Sequence, residues 1–355
     1  MNIAQNSIIK APNKREPFLL PIFVIHKTKN SIVANTIFRI NSSAEFEAEA
    51  LKVFKFQYEN IETYNRYCTL LNKFPTQVTT VEEIPFLPIE FFKKATILSK
   101  NKTAEIVFSS SGTTGTITSQ HHIASLETYS KSFTEGFIKT YGNPSDYCIL
   151  ALLPSYLERG GSSLVFMADA LIKQSKHPSS GFYLDNLSEL KTVIETLESN
   201  HQKTILLGVS YALLDLIERA PLQLKHTIIM ETGGMKGRRK ELVKEALHGI
   251  LKEGFGVSKI HSEYGMTELL SQAYSKGEGV FKCPPWMKVL TRDTNDPLSI
   301  IKNKTGGMNI IDLANLYSCS FIATQDLGKV NNDGSFEILG RFDTSDIRGC
   351  NLMVL

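Results

Sequence analysis

Two short segments carry the residue types best suited to chemistry. The first, Ser109-Ser110-Ser111-Gly112-Thr113-Thr114-Gly115, uses side chains small enough for the backbone to approach an anion. Its hydroxyls and amides could surround phosphate oxygens. No Gly-Lys-Ser/Thr follows, so it is not a Walker loop, and P-loop phosphoryl transfer is disfavoured. Composition alone favours an ordinary flexible loop over a phosphate cradle. The second segment, Glu263-Tyr264-Gly265-Met266-Thr267-Glu268, reads as a strand-to-helix transition in which Thr267 caps the helix that follows. A helix N-terminus favours an anion, and a carboxylate there can hold Mg²⁺ against phosphate oxygens. Taken alone, a capping motif with a surface Glu268 explains the same residues.

These segments need elements to place them. From Phe46 to Leu71 apolar residues recur mostly at helical spacing, which predicts an amphipathic helix, broken once at most. Pro75, Pro85 and Pro88 then punctuate a connection, and Glu105 to Phe108 reads as a short strand entering the serine-rich loop. Downstream, apolar runs at Cys148–Leu153, Phe182–Leu184, Ile205–Val209, Thr227–Met230 and Lys259–His261 predict strands. Helical patterns near 161–173, 187–199, 211–219 and 238–252 alternate with them. This alternation predicts an α/β fold with a mostly parallel sheet whose ligands lie beyond the carboxyl ends of strands. After Trp286 the runs Met287–Leu290, Asn309–Leu313, Ser320–Thr324 and Phe336–Leu339, with a hairpin turn at Asn331–Gly334, predict a smaller antiparallel β lobe. The expected division is an N-terminal helical region 1–104, an α/β core 105–285, a small β lobe 286–340 and a tail 341–355.

Bulk properties bound what such a chain does. Its 355 residues are enough for one large domain or two lobes, and 42% hydrophobic with 21% charged residues is ordinary for a folded protein. A formal charge of +3 without a long basic run gives no nucleic-acid footprint. The apolar run Phe18 to Ile25 is broken by Pro21 and is far shorter than the ~20 residues of a membrane span. Lys10, Lys14 and Arg15 precede it, but no small-residue cleavage site follows, and the expected location is cytoplasmic. The five cysteines Cys68, Cys148, Cys283, Cys319 and Cys350 form no C-x-x-C pair, so neither zinc nor a disulfide framework is expected.

Ser-Ser-Gly-Thr-Thr-Gly at 110–115, followed by Tyr-Gly-Met-Thr-Glu at 264–268, closely resembles the adenylate-forming superfamily of acyl-CoA synthetases and luciferases. Two further matches lie at Gln325-Asp326, where that superfamily carries a ribose-binding Asp, and at Gly340-Arg341-Phe342-Asp343, which resembles its hinge motif. The resemblance implies that Ser110, Ser111, Gly112, Thr113, Thr114 and Gly115 grip the β- and γ-phosphates of ATP. By the same resemblance Thr267 meets the α-phosphate, Glu268 binds Mg²⁺, Asp326 accepts from the ribose hydroxyls and Arg341 lies near the nucleotide. Tyr264, Gly265 and Met266 belong to the same nucleotide site. Glu231-Thr-Gly-Gly-Met-Lys-Gly-Arg238 resembles the segment lining the adenine and acyl sites, which brings in Gly233 and Gly234. Lys236, Arg238 and Arg239 are explained as well by a solvated helix start. A carboxylate that must approach an anionic α-phosphate needs positive charge and oriented donors, and no strong base, because it is already ionised near pH 7.

The chain departs from that pattern in two places. The superfamily's lysine shortly after the glycine-rich loop is replaced by Thr116-Ile-Thr-Ser-Gln-His-His122, with His121 or His122 as substitutes. Only five residues follow Cys350, which leaves no room for the superfamily's mobile C-terminal domain. In its short length the chain resembles the acyl-protein synthetase of the bacterial luminescence fatty-acid reductase and its relatives, which also resemble phenylacetate-CoA ligases. The implied reaction makes a fatty acyl-AMP, passes the acyl group to Cys350, and delivers it to an acceptor protein; a tail cysteine without function is the bland alternative. A ligase using coenzyme A directly and a non-catalytic nucleotide-binding scaffold are the competing readings. Cys283 reads as a packed thiol.

Overall fold

A computed structural model describes residues 36–110, 117–154, 161–184, 186–219, 221–234, 239 and 242–342. The first helix, α1 (Ser43–Asn60), starts where the sequence supplies a reciprocal cap. Ser42 Oγ accepts from Glu45 N at 3.3 Å, and the Glu45 carboxylate accepts from Asn41 N at 2.7 Å. It buries Phe46, Ala50, Val53, Phe54 and Gln57 on one face, and Ile61 separates it from α2 (Glu62–Leu70). The single interruption expected from the spacing therefore falls at Ile61.

Strand β1 (Leu87–Pro88) pairs in parallel with β14 (Phe321–Val330), across most of the sequence. The buried Gln57 amide donates to Asn315 O and Leu316 O, each at 2.9 Å, and accepts from Ser320 N at 3.0 Å. An amide buried this deeply must be satisfied in full, so these bonds fix the N-terminal helices to distant chain.

The sheet itself has two halves on one hydrogen-bonded path. Strands β4 (Cys148–Leu152), β5 (Gly181–Phe182), β6 (Thr204–Val209), β7 (Thr227–Thr232) and β8 (His261–Tyr264) run parallel in the order 5-4-6-7-8. Every residue of β4 and β6 is buried, as expected of strands covered on both faces by crossover helices. Those covers are α3 (Leu126–Tyr141), α4 (Ser163–Ser175), α5 (Leu187–Ser199), α6 (Ser210–Arg219) and α7 (Lys244–Phe255).

From β8 onward the pairing becomes antiparallel through β9 (Ala273–Ser275), β10 (Val280–Lys282), β15 (Phe336–Arg341), β14, β13 (Gly306–Asp312), β11 (Met287–Arg292) and β12 (Ile300–Ile301). Among the described residues, a separate hairpin of β2 (Ile106–Ser109) and β3 (Gln120–Ile123) stands apart from this sheet. The α/β class with parallel and antiparallel parts is the one the sequence predicts.

Boundaries shift where apolar runs mislead. The helix expected over 238–252 begins at Lys244, and Arg239 ahead of it pairs with Asp215 and Glu218 instead of opening the helix. The strand expected at Lys259–His261 lies at His261–Tyr264, where β7 and β9 supply the ladder partners. The run Ser320–Thr324 is the start of a ten-residue strand whose polar second half no apolar pattern reveals.

Candidate active site

The serine- and glycine-rich segment is the connection of the β2–β3 hairpin, in which Ser109 pairs with Gln120 and Phe108 with His121. At its base Ser110 N donates to Ser119 O at 3.0 Å, and Ser119 N donates to Ser110 Oγ at 2.9 Å. Ser111, Gly112, Thr113, Thr114 and Gly115 lie outside the described residues, as do Lys236, Arg238, Asp343, Cys350 and the Phe18 to Ile25 run.

The second segment corrects an expectation. After Tyr264 ends β8 the chain turns at Thr267–Glu268 and returns as β9, which pairs Ala273 with Tyr264. No helix follows, so Thr267 caps none, and the helix-dipole argument for anion binding does not apply here. The turn is held by buried polar contacts instead. His121 Nδ1 lies 2.7 Å from Thr267 O, His121 Nε2 lies 3.0 Å from Asn315 Oδ1, and Asn315 Nδ2 donates to Glu268 O at 2.8 Å.

His121 is completely buried, and that burial brings its pKa down to about 4 despite the helpful Thr267 carbonyl. A neutral ring has one N–H, which it gives to one of its two oxygen neighbours. His121 is therefore a buried prop for the turn and does not replace the superfamily's exposed lysine. Nothing in its sequence neighbourhood signals this; the contact closes across 146 residues.

Glu268 is buried, and burial raises its pKa, with a hydrogen bond from Ser119 opposing the rise. Ser119 thus touches both the base of the serine-rich loop and Glu268, which brings the two chemistry-bearing segments together. Among the described residues Glu268 has no ion-pair partner, and no group of three or more His, Cys, Asp or Glu is arranged to hold a metal. A divalent ion would fit here only as one shared between Glu268 and phosphate oxygens.

Three further residues converge from β8, β14 and β15. Tyr264 Oη donates to Asp326 Oδ2 at 2.6 Å, and Arg341 Nε donates to Asp326 Oδ1 at 2.9 Å. The β14–β15 register places Asp326 directly across from Arg341. The Asp326 side chain is 7% exposed and that of Arg341 is 70% exposed, so the carboxylate is fixed while the guanidinium reaches solvent. Burial, followed by the Asp326 charge, pushes the Tyr264 hydroxyl far above its ordinary value and keeps it a donor.

The carboxyl end of β7 completes the region. Gly233 has φ 64°, a left-handed conformation that favours glycine, and its carbonyl lies 3.4 Å from Ser210 Oγ. Gly234 follows it at the edge of the described segment. Gly265 is required for another reason: a Cβ there would sit 2.5 Å from Glu263 Oε1. Met266 is half-buried and its carbonyl accepts from Leu269 N at 3.1 Å.

Two buried glutamates flank this strand end, and sequence reasoning singled out neither. Burial opposes the charge of Glu231, yet His248 and Lys244, the latter 2.8 Å away, bring its pKa down to about 2. Glu263 is raised to about 7, first by burial, and Thr232 Oγ1 donating at 2.5 Å only partly offsets this. The four described cysteines are free, and all have thiols suppressed mainly by burial. Cys68 is pushed up to about 12, Cys148 to about 11, and Cys283 and Cys319 beyond that range.

A parallel sheet continued by antiparallel strands, with motif residues gathered at the carboxyl ends of β7 and β8, defines an α/β protein with the architecture of acyl-CoA ligases. A structure of 2-hydroxyisobutyryl-CoA ligase in complex with 2-HIB-AMP, in the postadenylation state, superposes with TM-score 0.64 at 12% identity, over 86% of this chain and 69% of that one. The open conformation of the same ligase, in complex with 2-HIB-AMP and CoA, gives 0.63 at 12% identity over 86% and 72%. ATP-bound MatB from Rhodopseudomonas palustris gives 0.51 at 17% identity over 66% and 47%, so the chain spans about half the length of that protein. No curated protein matches the chain. Residues 39–355 match the family described as acyl-protein synthetase, LuxE, and the chain belongs to that family. Among the described residues no helix is long and apolar enough to cross a membrane.

Proposed function

We propose that this protein joins a carboxylic acid to AMP and then passes the acyl group to its own Cys350. The substrate carboxylate attacks the α-phosphorus of ATP, forming the acyl–phosphate bond as the bond to pyrophosphate breaks. Asp326, fixed by Tyr264 and Arg341, receives the ribose hydroxyls. Gly233 and Gly234 border the adenine and acyl portions, and Gly265 and Met266 line the turn beneath them. Ser110 with Ser111, Gly112, Thr113, Thr114 and Gly115 holds the terminal phosphates, while Thr267 faces the α-phosphate. Glu268 would hold Mg²⁺, which when bound supplies positive charge against the triphosphate. In the second step the Cys350 thiolate attacks the acyl carbon and AMP leaves. The acyl group then moves to an acceptor protein; in the alternative reading coenzyme A takes the acyl group directly from the adenylate, without Cys350. A fatty acid in the cytoplasm is the substrate setting that the family resemblance suggests.

The observation that carries this reading is the meeting of Tyr264, Asp326 and Arg341 within 2.9 Å, beside a turn tied to the loop base through Ser119 and His121. The raised thiols of the other four cysteines favour Cys350 as the nucleophile, because a thiol held at 11 or above is almost wholly protonated at neutral pH. The decisive experiment is intact-protein mass after incubation with Mg-ATP and a panel of acids, for wild type and Cys350→Ala. A hydroxylamine-labile acyl adduct on wild type alone is expected. Pyrophosphate release without any adduct would instead make coenzyme A the first acceptor, and ATP binding without pyrophosphate exchange would leave only the scaffold.

A further inference from the structure

The face of β8 and β9 that packs toward α3 carries more hydrogen-bonding capacity than the protein itself uses. Antiparallel register sets Glu263 opposite Tyr274, so both side chains leave the sheet on the same face, and Gln272 lies two residues along on that face. These side chains converge: Gln272 Cγ and Glu263 Oε1 lie 3.3 and 2.5 Å from the same point, the place a Cβ on Gly265 would occupy. Glu263 is 8% exposed, Gln272 5% and Tyr274 3%. Yet among the described residues Gln272 Oε1 and Tyr274 Oη have no hydrogen-bond partner, and Glu263 has Thr232 on one of its oxygens.

Unpartnered buried polar atoms are rare in folded proteins, and two beside a buried carboxylate call for a ligand. Aromatic rings pack beside these atoms, those of Tyr141 and Phe137 lying 5.4 and 6.4 Å from that of Tyr274. The contrast with Glu231 is informative. That carboxylate leaves the neighbouring strand toward α7, where the Lys244 ammonium and a hydrogen bond with His248 meet it, so the fold does supply partners to a buried carboxylate there. No described cation lies within ion-pair distance of Glu263.

We infer that Glu263, Gln272 and Tyr274 form a specificity subsite for a hydrogen-bond donor, a hydroxyl or an ammonium, on the acyl portion of the acid that is activated. This rests on the adenylation reading above and deepens it. Gly265, which belongs to the segment assigned to the nucleotide, lies against both Glu263 and Gln272, so the subsite adjoins that site. The free set consists of two acceptor oxygens and one phenol that both donates and accepts, which suits a donor-bearing group. An unsubstituted alkyl chain would bury the same atoms unpaired, and sites of this kind reject the analogue lacking the polar group far more strongly than apolar pockets reject an extra methylene. A fatty acid satisfies the subsite when it carries such a group.

The test compares acids of matched chain length, unsubstituted, hydroxylated and amino-substituted, in ATP–pyrophosphate exchange by wild type, Glu263→Gln and Gln272→Leu. Wild type is expected to prefer a donor-bearing acid by on the order of 100-fold in kcat/KM. Glu263→Gln keeps the side-chain shape and one acceptor oxygen. It should cut an ammonium preference by at least about tenfold and spare a hydroxyl preference, which distinguishes the two donors. Gln272→Leu should weaken either preference. Equal or better exchange with the unsubstituted acids, unchanged in both variants, would overturn the subsite. Should no acid support exchange, the adenylation reading fails separately, and calorimetric binding of the same acids decides the subsite: donor-dependent binding lost in the variants supports it, and its absence refutes it.

Discussion

The two faces of the sheet at the ends of β7 and β8 treat a buried glutamate in opposite ways. On the α7 side Glu231 is given Lys244 and His248, and its carboxyl falls to about 2. On the α3 side Glu263 is given a single hydroxyl, and its carboxyl rises to about 7. Desolvation is common to both residues. Glu231 has Lys244 at contact distance and a hydrogen bond with His248, whereas Glu263 is further raised by the charge of Glu231 and feels Lys244 without touching it. One glutamate is part of what holds the fold together; the other is an unfavourable placement that stability alone does not explain. That contrast makes the α3 face the more informative place to look for a bound group.

Substitutions test the contrast by sign. Glu231→Leu strands Lys244 and His248 beside an apolar side chain and should destabilise the protein by about 2–4 kcal/mol in urea denaturation at pH 7.5, because removing one partner of a buried pair leaves the other uncompensated. Its carboxyl is lowered from an ordinary 4.5, so the stability it contributes is present above that value and is lost as pH falls toward 2. Glu263→Gln should act in the opposite direction. The native carboxyl is raised, so wild type is most stable below pH 4.5 and loses stability as pH climbs to about 7. The variant should therefore exceed wild type by up to about 3 kcal/mol at pH 8 and match it near pH 4. Equal stability of the two proteins at both pH values would remove the contrast.

A third substitution separates the turn from both faces. His121→Phe leaves Thr267 O and Asn315 Oδ1 without their neighbour and should cost about 1–3 kcal/mol. Pyrophosphate exchange should fall further than the folded fraction does, because Thr267 and Glu268 lose their support. The smallest effect on stability is expected from Arg341→Ala, within about 0.5 kcal/mol of wild type, because that side chain is mostly exposed. A raised KM for ATP without a change in urea midpoint would show Arg341 acting on the nucleotide through Asp326.

Much of the architecture was legible because parallel strands covered on both faces appear as uninterrupted apolar runs, as in Cys148–Leu152 and Thr204–Val209. The antiparallel half was read only in part. The second half of β14 alternates with half-exposed polar residues, and its partner strands, not its composition, define it. Local signals also misplaced the Thr267 segment, since a threonine after a strand looks like a helix cap until β9 claims the chain that follows. Tyr264, Asp326 and Arg341 were named from motifs, and the structure brings them into contact. Ser119, His121 and Asn315 matter through contacts between distant segments, which no local pattern encodes.

The contact between Gln57 and the chain around Asn315, Leu316 and Ser320 has a consequence in time. Those partners lie 258 to 263 residues downstream. At synthesis rates of roughly 5–20 residues per second, α1 and α2 wait on the order of tens of seconds on the ribosome before the groups that satisfy their buried amide exist. Throughout that interval Phe46, Val53 and Phe54 face water or a helper, so the N-terminal helices are where a nascent chain of this protein most needs protection from its neighbours.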